Sequence, residues 1–126
     1  MQIRIEAHGS ASRDVIWARY ADPSRWAGWA RQIVAVRADG LLRPGLVGEV
    51  VGRFGPRARF VVTDVDEAAG RWSWRVRGGV GPLRATFSID HSVSEGWSGL
   101  EITGAAPVVL AYEPIARLAL ASLVRA

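Results

Sequence analysis

The chain has 126 residues, of which 49% are hydrophobic, with a mean hydropathy of +0.11, a formal charge of +4 and a pI near 10.9. That is one domain's length, enough to bury about two thirds of its unfolded surface in a packed core, and it excludes a disordered chain. The absence of cysteine excludes disulfides, iron–sulfur clusters, thiolate zinc sites and cysteine nucleophiles, and fits the reducing cytoplasm expected as its location.

The chain opens on a period-2 pattern over residues 2–8, with Ile3, Ile5 and Ala7 alternating against Arg4 and Glu6, as in a half-buried strand. No apolar h-region of a signal peptide is seen here. Ser10 and Ser12 offer helix caps, Asp14 suits a first turn, and Val15, Ile16, Ala18 and Tyr20 supply an apolar stripe. Asp22-Pro23 ends that helix, and Pro23 is placed to open a second short one holding Trp26 and Trp29.

From residue 32 to 103 the sequence becomes a series of runs rich in Val, Ile, Phe, Trp and Thr. Clusters of Gly, Pro and Asp interrupt it every ~8–12 residues, the mark of a meander of antiparallel strands. The predicted strands are 32–38, 47–54, 57–65, 71–78, 83–91 and 97–103. The breaks, at 39–40, 44–45, 55–56, 69–70, 79–82 and 95–96, each carry the glycine or proline of a tight turn. A helix is predicted over 107–124. Val108, Val109, Tyr112, Ile115, Ala116, Ala119, Leu120 and Leu123 form one broad apolar face, with Pro114 expected to kink it or mark its first turn. The stretch is apolar enough to suggest a membrane span, but Glu113, Pro114 and Arg117 near its middle favour a buried amphipathic helix.

This order predicts an α+β fold in a single domain, 1–126. A curved antiparallel sheet of about seven strands would close around the long C-terminal helix, with two short helices between strands one and two. The same order, with the stretch Asp14-Val15-Ile16-Trp17, Asp22-Pro23, Trp26 and Trp29, the Arg43-Pro44-Gly45 turn and the Arg71-Trp72-Ser73-Trp74 strand, resembles the START-like (SRPBCC) superfamily. Within it the resemblance is to the polyketide cyclase/dehydrase and lipid-transport group. It covers essentially the whole chain and implies the Bet v 1-like helix-grip fold with an internal cavity for apolar or aromatic ligands. It implies no shared catalytic set, because the superfamily includes enzymes, carriers and receptors.

Strand parity nominates the cavity wall. Trp72, Trp74 and Val76 share one face, opposite Arg71, Ser73, Arg75 and Arg77, and two tryptophans at i and i+2 offer either a stacking wall or plain core filling. Phe87, Ile89 and His91 share the corresponding face of the next strand, and Val109, Tyr112 and Ala116 lie on the helix stripe that would oppose them. The candidates for proton transfer are three. His91 reads either as a general acid/base or as a strand-end histidine bonded to backbone or water. Asp64 follows Phe60 and Val62 in parity, so it points inward or sits at a solvated strand end. Tyr112 could address a ligand or the surface. Glu49 is expected to face solvent.

No G-x-G-x-x-G follows a strand, no lysine is present for a Walker A loop, G-x-S-x-G does not occur, and two distant histidines give no metal spacing. No cofactor and no metal are expected. The basic residues are all arginine, spread from Arg4 to Arg125 among Glu6, Asp14, Asp66 and Glu67, a skew that fits codon composition better than a selected surface. Arg71, Arg75, Arg77 and Arg84 could line a basic hairpin face, but without exposed aromatics between them, so no nucleic acid is expected. Two functions follow: binding of a small apolar or aromatic, lipid- or polyketide-like ligand, or a cofactor-independent cyclase/dehydratase using the same cavity. The expected partners are a small hydrophobic molecule and, as a homodimer, a second copy of the chain, with no membrane.

Overall fold

A computed structural model describes residues 1–53, 55–78 and 85–126. Seven strands, β1 (Gln2–His8), β2 (Ile33–Ala38), β3 (Val47–Gly52), β4 (Arg57–Asp66), β5 (Arg71–Gly78), β6 (Ala85–Ser94) and β7 (Trp97–Thr103), form one sheet in the order β1-β7-β6-β5-β4-β3-β2, every pair antiparallel. Between β1 and β2 lie α1 (Arg13–Ala21) and a 3-10 turn (Pro23–Arg25) running into the single-turn α2 (Trp26–Trp29); α3 (Ala106–Leu123) follows β7. This is the helix-grip fold that the element order predicts. Expected strand ends at Phe54, Leu83 and Arg84, and the 79–82 turn, lie outside the described residues.

Local chemistry sets the elements. Ser12 caps α1, its side chain accepting from the Val15 amide at 3.2 Å, and Asp22 accepts from the Ser24 amide at 3.0 Å to start the 3-10 turn, where Pro23 sacrifices no bond. Ser10 instead accepts from the Ala126 amide, which ties the C-terminus to the β1–α1 loop. The buried face of α1 is Ile16, Trp17 and Tyr20, two of them in the expected stripe, while Val15 and Ala18 are exposed, because the 3.6-residue period puts i, i+1 and i+4 together.

The long helix runs unbroken through Pro114 rather than starting there. Pro107 holds the first-turn position, where an amide would be unbonded anyway, and Pro114 lies on the exposed side. Val109, Ala116, Ala119, Leu120 and Leu123 are buried, and α3 packs on β1, β7 and α2. It has the length and hydropathy of a membrane span, with a mean of 1.3. One stripe of it is buried against the sheet, and the Arg117–Glu113 ion pair of 2.8 Å lies near its middle.

The inward-facing side chains run in registered rows across the sheet, and their size falls steadily from one end to the other. One end row reads Val65–Trp72–His91–Leu100–Ile5, and the next Val62–Trp74–Ile89–Ile102–Ile3. Then comes Gly48–Phe60–Val76–Phe87, and at the far end Val50–Ala58–Gly78–Ala85. The glycines here are steric requirements. A Cβ on Gly48 would meet the Phe60 ring at 2.5 Å, and one on Gly78 would meet Ala58 Cβ at 2.6 Å. The large end is closed by α1, α2 and the C-terminal half of α3. Among the described residues the small end is left hollow.

Candidate functional site

The hollow is a cavity of about 580 Å³ between the sheet and the N-terminal half of α3, inside the ~300–1,000 Å³ range of small-molecule sites. Its floor is Val50, Ala58, Trp74, Val76, Phe87 and Ile89 from four strands. Pro107, Val108, Ala111, Tyr112 and Ile115 of α3 face it, and Arg31, Gln32, Arg53 and Arg57 stand at its edge. The Phe87 and Tyr112 rings approach at 5.7 Å across the gap between β6 and α3. Burial pushes the Tyr112 phenol above the usual tyrosine range, with the Gln32 side chain partly opposing the shift.

A second, much smaller gap of about 30 Å³, room for a water or two, shares Gln32, Ile33, Trp74, Ile89 and Tyr112 with the large cavity and is walled beyond them by Trp26, Trp72, His91, Ala116 and Leu120. Here the aromatic rings pack on one another. Trp72 stacks on the His91 ring at 4.2 Å and 4° and on Trp26 at 5.8 Å, and Tyr20 meets Trp72 edge-on at 5.3 Å. Trp72 Nε1 is buried with no hydrogen-bond partner among the described residues.

Among these rings runs a directional hydrogen-bond chain. An indole N–H can only donate, so Trp74 Nε1 gives its hydrogen to His91 Nε2 at 2.9 Å. The imidazole proton of neutral His91 is then on Nδ1, donated to Tyr20 Oη at 3.1 Å. Tyr20 donates on to Ser98 Oγ at 3.0 Å, and Ser98 to the Ser92 carbonyl at 3.1 Å. Each member has its partner. Burial lowers the His91 pKa to about 3 and pushes the Tyr20 phenol far up, so both are neutral across the physiological range. His91 is therefore neither solvated nor at a strand end, since β6 continues to Ser94 and both ring nitrogens bond to side chains. An imidazole with its free lone pair engaged and its pKa near 3 is a poor base at neutral pH.

The sequence candidates divide accordingly. Trp74, Phe87, Ile89 and Tyr112 line the large cavity; Trp72 and Ala116 line only the small gap; Val109 is fully buried in the core outside both linings. Asp64 is on the outer, convex face, opposite the possibility that it points inward. A β-bulge between Val62 and Asp64 gives Thr63 no partner on β5, reversing the parity beyond it, so Val65 rather than Asp64 turns toward the core. Asp64 pairs instead with Ser73, whose hydroxyl donates to Asp90 at 2.6 Å. Glu49 also faces outward, within 3.3 Å of Arg57. Sequence reasoning put Val76 on the inward strand face and Ile115 on the helix stripe without naming either as a ligand contact, and passed over Ala58 and Ala111. The signal available for them was small or branched side chains at inward parity.

An antiparallel grip closed at one end and hollow at the other defines a cavity-bearing helix-grip domain. The family model described as polyketide cyclase / dehydrase and lipid transport matches residues 2–126, and the chain belongs to that family. Among solved structures, a protein from Nitrosospira multiformis superposes with a TM-score of 0.77 at 13% identity, covering 98% of this chain and 94% of that one. Ara h 8.0201 superposes at 0.68 with 13% identity over 98% and 94%. DynU16, from the dynemicin biosynthetic locus, superposes at 0.62 with 20% identity over 94% of this chain but 45% of its own. These likenesses are of fold. Among curated proteins none is significantly similar in sequence.

Proposed function

We propose that the protein binds a small apolar or aromatic molecule, lipid- or polyketide-like, in the cavity between the sheet and α3. The single observation that carries this reading is a volume of about 580 Å³ walled by aliphatic and aromatic side chains in a domain whose other end is tightly packed. Family membership and the origin of DynU16 in a biosynthetic locus lend support. A cyclase or dehydratase would need titratable groups meeting around the substrate. Of His91, Asp64 and Tyr112, only Tyr112 lines the large cavity, so the arrangement favours binding over proton transfer. Titration with aromatic polyketide-like compounds, sterols and fatty acids, followed by tryptophan fluorescence, tests this: Trp74 on the wall is expected to report saturable binding of at least one class. A flat response to the whole panel would refute the reading.

A further inference from the structure

The edge of the cavity carries a charge pattern of its own. Arg31, Arg53 and Arg57 are exposed and all border the cavity, and no aspartate or glutamate is among its described lining residues. The Arg57 guanidinium is held by Glu49 at 3.3 Å. Arg53 uses only Nε, donating to the Arg31 carbonyl at 3.0 Å, which fixes these two residues side by side. The remaining N–H groups of Arg53 and the whole Arg31 guanidinium have no partner among the described residues. An apolar chamber bordered by two arginines, Arg31 and Arg53, with no acid among its described lining residues is complementary to a molecule whose body is apolar and whose one end is anionic. Guanidinium groups match a carboxylate's two oxygens and give charge-assisted bonds of roughly twice the usual strength.

Resting on the binding reading above, we propose that the preferred ligand is an apolar monocarboxylate, its body against Trp74, Val76 and Phe87 and its carboxylate between Arg31 and Arg53. The two sources of such a molecule, an aliphatic acid and an aromatic acid, are separated by using both as probes, each beside its neutral alcohol. The full chain is titrated with decanoic acid against 1-decanol, and with 2-naphthoic acid against 2-naphthalenemethanol, at pH 7.5 and low salt.

At least one acid is expected to bind about tenfold more tightly than its alcohol. That preference should shrink as salt is raised, and the double substitution Arg31→Gln with Arg53→Gln should abolish it, weakening the acid far more than the alcohol. Arg75→Gln, on the convex face, should keep it. Which pair shows the preference identifies the aliphatic or the aromatic source. Equal affinity for acid and alcohol, or a preference that survives the double substitution, would overturn this inference and leave cavity binding standing. No binding of any of the four probes would count against the cavity reading and this inference together.

Discussion

The two ends of the grip are built on the same strands and the same helix, yet one is solid and the other hollow. At the solid end the row Trp72–His91–Leu100 meets Tyr20 and Trp26 from the short helices, and every polar atom of the Trp74–His91–Tyr20–Ser98 chain is bonded. At the hollow end the row Val50–Ala58–Gly78–Ala85 has too little side chain to reach α3, and among the described residues the space stays open. The difference teaches that tight packing and open volume are segregated along the strands. Aromatic side chains are concentrated where they hold the fold, and small ones where a second molecule would complete the core.

Truncation should separate the ends most sharply. Trp72→Ala, deep in the solid end, is expected to lower unfolding stability by about 3–5 kcal/mol in chemical denaturation. Tyr112→Phe at the cavity wall should change it by less than about 1 kcal/mol. Comparable losses would mean that the two ends are equally structural.

Acid should strike the solid end first. His91 is held neutral with a pKa of about 3, against about 6.5 in the unfolded chain, because burial disfavours its charged form. Above pH 6.5 neither state binds this proton. Between pH 6.5 and 3 only the unfolded chain does, so the folding equilibrium should weaken by up to about tenfold per pH unit as the pH falls. Comparing unfolding curves of the native chain and His91→Gln over that range isolates this group. Parallel pH dependences in the two proteins would refute the assignment.

Filling the hollow should have the reverse profile. Ala111 lines the cavity from an exposed position on α3, so Ala111→Phe is expected to weaken binding of any cavity ligand at least tenfold while shifting stability by about 0.5 kcal/mol or less. Full binding by this variant would locate the ligand elsewhere. The smallest effect expected is that of Asp64→Asn. On the convex face, it should leave both ligand affinity and stability close to those of the native chain, as binding and denaturation measurements would show.

Most of the frame was legible in the sequence because strands declare themselves locally. Alternation gave β1, β5 and β7 their ends, and glycine or proline marked the turns. The solid end was legible only in part. Trp72 and Trp74 announce an inward face, but the chain that fixes His91 joins Tyr20 to residues 71 and 78 positions away, a distance at which no local pattern speaks. Parity left Asp64 open between an inward and a solvated position, because period-2 reasoning carries no signal for the bulge, which costs one residue and turns Asp64 outward. The arginine edge was hidden for the same long-range reason. Arg31 and Arg53 come together only once β2 and β3 pair as an edge hairpin.

The most direct test of this segregation is a nuclear magnetic resonance map of the chain titrated with decanoic acid. Amide shifts are expected at Ala58, Val76, Gly78, Phe87 and Ala111, together with the indole N–H of Trp74, while the Trp26 indole, donating to the Tyr20 carbonyl at 2.9 Å, stays in place. Shifts confined to the convex-face residues Arg71, Asp90 and Trp97, or a Trp26 indole that moves as far as the cavity amides, would contradict the division of the grip into a structural end and a binding end.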